Sequence, residues 1–150
     1  MKTGKYVEEF LMAIERGDFR MAESLLSKDF RITGFEPDPV HGREYLAIMK
    51  NILKGIPDFR FNFRITRQEE NLVEVKIKMT GIQTHIIPSL LPGMKDIQPT
   101  DKWISMPEET AEVTIRSDRI ERINLHTIAG GGLQGLVKQI GAELPEPEHH

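Results

Sequence analysis

Cysteine is absent from all 150 residues. Disulfides, thiolate nucleophiles and zinc–thiolate sites are therefore excluded, and a reducing, cytoplasmic setting is expected. Long apolar runs are missing too. None approaches the length of a membrane span, and the opening MKTGKYVEEF lacks the uninterrupted apolar core of a signal peptide. No membrane partner is expected. Positive charge is not in excess: 20 Lys and Arg stand against 23 Asp and Glu, a net charge of −3. Such a chain offers no basic field for nucleic acid. Aromatic residues are sparse, with a single tryptophan and two tyrosines.

What remains is ordinary for a globular protein, with 39% apolar and 29% charged residues. A chain of this length hides roughly 70% of its unfolded surface. One domain over 1–144 is expected, followed by a polar, proline-broken tail at 145–150. The terminal His149 and His150 fit a purification-tag remnant and are set aside from any metal argument.

The first half reads as helices. Thr3 can cap a helix running to about Arg16, with Tyr6, Val7, Phe10, Leu11 and Ile14 on one stripe. Gly17 stops it and Asp18 caps a second helix. A short strand is expected at 30–35, then a loop across Pro37 and Pro39. Tyr45, Leu46, Met49, Ile52 and Leu53 give a third helix over 42–53, which Gly55 and Pro57 end.

The second half alternates. Phe59, Phe61, Phe63 and Ile65 share one face of a strand over 59–66, and Val73, Val75, Ile77 and Met79 one face of a strand over 72–80. Ala111, Val113 and Ile115 repeat the pattern, opposite Thr110, Glu112, Thr114 and Arg116. A tight turn at Ser117-Asp118 leads to a last strand over 119–127, whose pattern slips between Ile120 and Ile123 and predicts a bulge. Clean alternation of this kind signals antiparallel strands with one solvated face. After Gly130-Gly131-Gly132, Leu133, Leu136, Val137 and Ile140 form a short amphipathic helix. Between the strands hangs a proline-punctuated excursion over 80–109, too apolar for disorder. It is expected to be ordered over the mouth of a cavity. Segregated helices and strands give an α+β class, a cone-shaped curved antiparallel sheet wrapped around the first three helices.

Several fragments carry a resemblance. FLMAIERGDFRMAESLLSKDF at the start, GIPDFRF (55–61), THIIPSLLPG (84–93), IQPTDK (97–102), SMPEE (105–109) and GGGLQGLVKQIG (130–141) occur in an order and spacing similar to the SnoaL-like polyketide cyclases. These belong to the nuclear transport factor two-like superfamily, with a cystatin-like fold. The resemblance implies a pocket between sheet and helices, and a homodimer. It also implies an aspartate–histidine pair moving a proton during an aldol ring closure, without a cofactor. His85 sits where the loop pattern has a histidine. Around the last strand the cyclases often place an aspartate; this chain has INLHTIA (123–129), with no acid.

The candidate site follows. His85 is a candidate general base, since imidazole takes a proton near neutral pH; otherwise it is a loop histidine bonded to backbone. Asp58 would orient it or share its proton; otherwise it serves a turn. Trp103 could stack on a flat ligand or pin the loop. Tyr45 could donate a hydrogen bond inward or simply fill the core. His126 is a further ligand-binding candidate, although alternation turns it away from the side of Leu125. No metal site is expected, because His41, His85 and His126 stand isolated in sequence. The expected partner is a small hydrophobic or carbonyl-bearing molecule, acted on by a cofactor-free cyclase or isomerase. The alternative is a non-catalytic ligand-binding or protein-interaction module of the same fold.

Overall fold

A computed structural model describes residues 3–142. Two helices, α1 (Thr3–Glu15) and α2 (Phe19–Ser24), lead into β1 (Leu26–Thr33) and the short β2 (Val40–His41). Then come α3 (Gly42–Gly55), β3 (Arg64–Gln68), β4 (Leu72–Ile77) and β5 (Thr80–Ile82). The chain finishes with β6 (Trp103–Ser105), β7 (Glu109–Arg116), β8 (Arg119–His126) and α4 (Gly132–Gln139). The main sheet has the order β2-β1-β8-β7-β4-β3, and β5-β6 form a separate ribbon. The class is α+β, with a curved, mostly antiparallel sheet and helices against its inner face. One pairing is parallel: β1 runs alongside β8.

Alternation is what builds the interior. Val73 and Val75 on β4, Ala111, Val113 and Ile115 on β7, and Ile120, Ile123 and Leu125 on β8 all face inward and are buried. From the other side, α1 lies against β3, β4 and β8, while α3 lies against β1 and β2. Phe10 of α1 and Phe30 of β1 meet in the middle, both essentially inaccessible. Burying a side chain of that size contributes roughly 1.5–3 kcal/mol. The expected bulge is present in β8, where Ile115 pairs with Ile120 but Thr114 with Arg122.

Local signals were partly overruled. Asp18 does cap α2, accepting from the Met21 amide at 3.1 Å. Thr3 does not serve α1 in the expected way: its hydroxyl donates to the Glu69 carbonyl, and the Gly4 amide is capped by Gln68 Oε1 at 2.9 Å. The strand expected over 59–66 is regular only from Arg64. Asn62 takes φ 48°, and its side-chain amide donates to Lys78 O and Thr80 Oγ1. The alternation survives that break. Phe59 and Phe61 turn inward, edge to face at 5.0 Å, so they serve this chain's own core rather than an outer apolar surface. The strand expected over 72–80 likewise divides, and its last part joins the β5–β6 ribbon.

The excursion is folded. Ile87 and Ile97 bridge to each other and are buried with Leu90. It packs on the end of α3: the amides of Thr84 and His85 both donate to Gly55 O, and Asn51 Nδ2 donates to Ser89 O. Gln83 is its buckle. Fully buried, it donates to the carbonyls of His85, Ile97 and Gln98 and accepts from Thr100 Oγ1 at 2.7 Å. Gln83→Leu should strip those groups of their partner. Because each buried unsatisfied polar group costs about 1–3 kcal/mol, stability should fall by at least about 2 kcal/mol. A urea midpoint within error of wild type would contradict this.

Candidate functional site

Among the described residues two ionisable side chains lie in the interior, and alternation put one of them there. Glu109 opens β7 in the same phase as Ala111, Val113 and Ile115, and pairs with Ile77 of β4. It is 2% exposed. Oε1 accepts from the Gly132 amide at 3.2 Å, at the first turn of α4. Oε2 is buried and has no protein partner within hydrogen-bonding geometry, the Ile128 amide acting on the carboxyl only at longer range. The carboxyl lies flat under Gly131, where a Cβ would stand 2.6 Å from Cδ and Oε2. Only glycine permits this approach. Met106, Leu125 and Leu133, close by in chain or pairing, are buried and apolar.

Burial raises the pKa of Glu109, and the backbone N–H groups of Gly132 and Ile128 pull the other way without cancelling it. A carboxyl held above its ordinary range can give a proton to a carbonyl oxygen or take one from an activated C–H near neutral pH. The second interior group is Tyr45, on α3. Its ring stacks at 6.5 Å on Phe10 and meets Phe35 edge-on at 5.2 Å. Burial pushes its phenol pKa up, so it stays a neutral hydroxyl. Phe35 links the two groups, since its carbonyl accepts from the Leu133 amide at the start of α4.

The other expected residues are at the surface. His85 is exposed, with Nδ1 at 2.8 Å from Thr84 Oγ1. Asp58 is exposed and accepts from the Ile82 amide at 2.9 Å, as a turn carboxylate does. The two are bonded to different partners. Trp103 is 60% exposed, opposite Ile82 across the ribbon. His126 is on the outer face of the sheet, its Nε2 at 2.5 Å from Glu112 Oε1. Of the five residues singled out from the sequence, Tyr45 alone lies in the interior. Glu109 was missed although its signal was present, because the inward phase of 111, 113 and 115 extends back by one step to 109. Among the described residues no three His, Asp or Glu side chains gather as a metal site would require, and no helix is long and apolar enough to cross a membrane.

Comparison with known proteins bears on this arrangement. The family profile described as SnoaL-like domain matches residues 7–123. Among solved structures, AclR, a proposed hydroxylase from Streptomyces galilaeus, superposes with a TM-score of 0.66 at 18% identity, over 92% of this chain and 94% of that one. IdmH, a proposed polyketide cyclase from Streptomyces antibioticus, gives a TM-score of 0.66 at 17% identity, over 95% and 100%. A proposed polyketide cyclase from Xanthomonas campestris pv. campestris gives 0.65 at 16% identity, over 92% and 96%. At these identities the likeness is one of fold. No curated protein matches.

Glu109 also sets a pH dependence. A carboxyl whose folded pKa is raised contributes stability that is fully present below its unfolded pKa and is lost as pH rises through the folded one. Glu109→Gln removes that titration. The variant should therefore gain on wild type from acid to neutral pH, by about 1.4 kcal/mol per unit of displacement. A stability gap that stays constant across that range would show that Glu109 titrates normally.

Proposed function

The chain belongs to the SnoaL-like domain family, and from that premise we propose that it takes a small, hydrophobic carbonyl compound and moves a proton on it, as a cofactor-free cyclase or isomerase. The observation that carries this reading is the buried Glu109 carboxyl with one oxygen held by an amide and the other free. Oε1 fixes the orientation of the group. Oε2 is the atom that exchanges the proton, taking it from carbon next to the carbonyl and returning it at a second position. Tyr45, kept neutral by burial, supports the same end of the interior through Phe35. His85 and Asp58 form the rival assignment, in which the work is done on the exposed loop.

A panel of small aryl ketones in D2O distinguishes the two assignments, with NMR following loss of the α-proton signal. Glu109→Gln should slow exchange about 10²–10⁴-fold, the usual contribution of a positioned acid or base. His85→Ala should leave it nearly unchanged. The opposite ranking would move the site to the loop.

A second reading, a non-catalytic binding or interaction module, is favoured by one observation: Trp103 and Ile82 stand exposed side by side. Because the chain has a single tryptophan, its fluorescence reports directly on anything that docks there. A cytoplasmic homodimer completes the proposal. Light scattering at micromolar concentration should give twice the 17.2 kDa chain mass, and the single-chain mass would remove the dimer.

A further inference from the structure

Glu109 is sealed by a short helix that begins on glycine. Gly131 lies directly on the carboxyl, and the α4 helix continues from there over Met106. This helix has two turns, too few to persist without its contacts. At its start, Gly130 and Gly132 both have left-handed backbone, with φ of 83° and 68°. Glycine crosses between that region and the ordinary one at little cost, so these positions can act as a pivot. At the far end, Gln139 clasps one residue of β6. Its Oε1 accepts from Ser105 N at 3.1 Å and its Nε2 donates to Ser105 O at 3.0 Å. Both bonds are exposed to water, which competes for them. The inner face of the helix is apolar, with Leu133 and Leu136 2% exposed or less, and it lies on Met106, which is 1% exposed. The free Oε2 is the polar exception.

We propose that α4 is a hinged cover, pivoting at Gly130–Gly132 and released at Gln139–Ser105, and that the ligand binds beneath it, against Glu109 Oε2. The place selects its occupant. A free oxygen in an apolar bed is satisfied by one polar group on an otherwise hydrophobic body. An anionic ligand would meet the carboxyl. The class is an uncharged, flat, apolar molecule with a single carbonyl, lying with the carbon next to that carbonyl against Oε2. The chemistry assigned to this ligand rests on the reading of Glu109 given above; the motion of the helix does not.

The absence of cysteine makes the motion measurable. Met106→Cys places one thiol under α4, where Gln139 Nε2 now lies 3.4 Å from the Met106 sulfur. Val113→Cys places one deep on the sheet, two inward positions beyond Glu109 along β7. Each is mixed with a small aromatic disulfide reagent over a range of urea too low to unfold the protein. The thiol at 106 should react at a rate nearly independent of urea, at least about tenfold faster than the thiol at 113. Adding Gln139→Ala should accelerate the first and leave the second alone. A small aryl ketone at high concentration should slow the first only. Equal rates with equal urea dependence at the two positions would overturn the proposal, because both would then report global unfolding. Leu136→Cys, on the inner face of α4, repeats the measurement if Met106→Cys does not fold. Loss of the labelling difference sinks the cover. Retention of it alongside undiminished α-proton exchange in Glu109→Gln sinks the chemical reading instead.

Discussion

A buried amide with all its bonds made organises the half of the molecule that the sheet does not. Gln83 gathers three carbonyls and a hydroxyl from residues 85 to 100. In doing so it closes a stretch that has almost no regular structure of its own. Each of those groups has a protein partner in Gln83, and a fully satisfied buried network is held as a unit. Consequences run down the chain. With the excursion closed, β6 returns beside β5, Ser105 is presented to Gln139, and Met106 enters the core. Glu109 then starts β7 in the inward phase. The placement of the buried Glu109 carboxyl thus depends on an amide 26 residues earlier.

That carboxyl shows how function and stability oppose each other here. An oxygen buried without a partner is unfavourable, and so is a charge in an apolar bed. A methyl at Gly131 is forbidden by the same contact that hides the group. Selection for stability alone would place an apolar side chain at 109. Polar pairs on the outer face are arranged differently. His126 with Glu112, and Thr33 with Asn124, satisfy each other in contact with water. Ion pairs in that setting contribute little.

Periodicity made most of the fold legible. The stripe through Phe10 and Ile14 and the alternation through Val113 and Ile115 gave the helices, the inward faces and the bulge in β8, because burial itself imposes those periods. Long-range polar contacts were not legible. Nothing near Thr3 announces that Gln68 will cap the first helix, and nothing in 59–66 announces that Asn62 will reach across to Lys78 and Thr80. The parallel partnership of β1 and β8 was hidden for a related reason: alternation states which face is buried and says nothing of which strand lies alongside. At the candidate site the difficulty was different. His85 and Asp58 attracted notice as reactive residue types on a loop, while Glu109 sat among ordinary strand residues, in a phase that named it.

The pairing of β1 with β8 has a consequence for the order in which the protein can be made. Strand β1 leaves the ribosome well before the neighbour that joins it to the rest of the sheet, with six strands and a helix made in between. The first helix waits as well, since the side chain that caps it comes 64 residues later. Until then the apolar stripes of the opening helices have no sheet to cover. Contacts so distant along the chain form slowly, and an unpaired nascent half is the kind of species that sticks to its neighbours. The apolar stripes of α1 and α3 therefore have no complete sheet to cover until β8 is made, and a chain cut short before it would lack the strand that joins β1 to the rest.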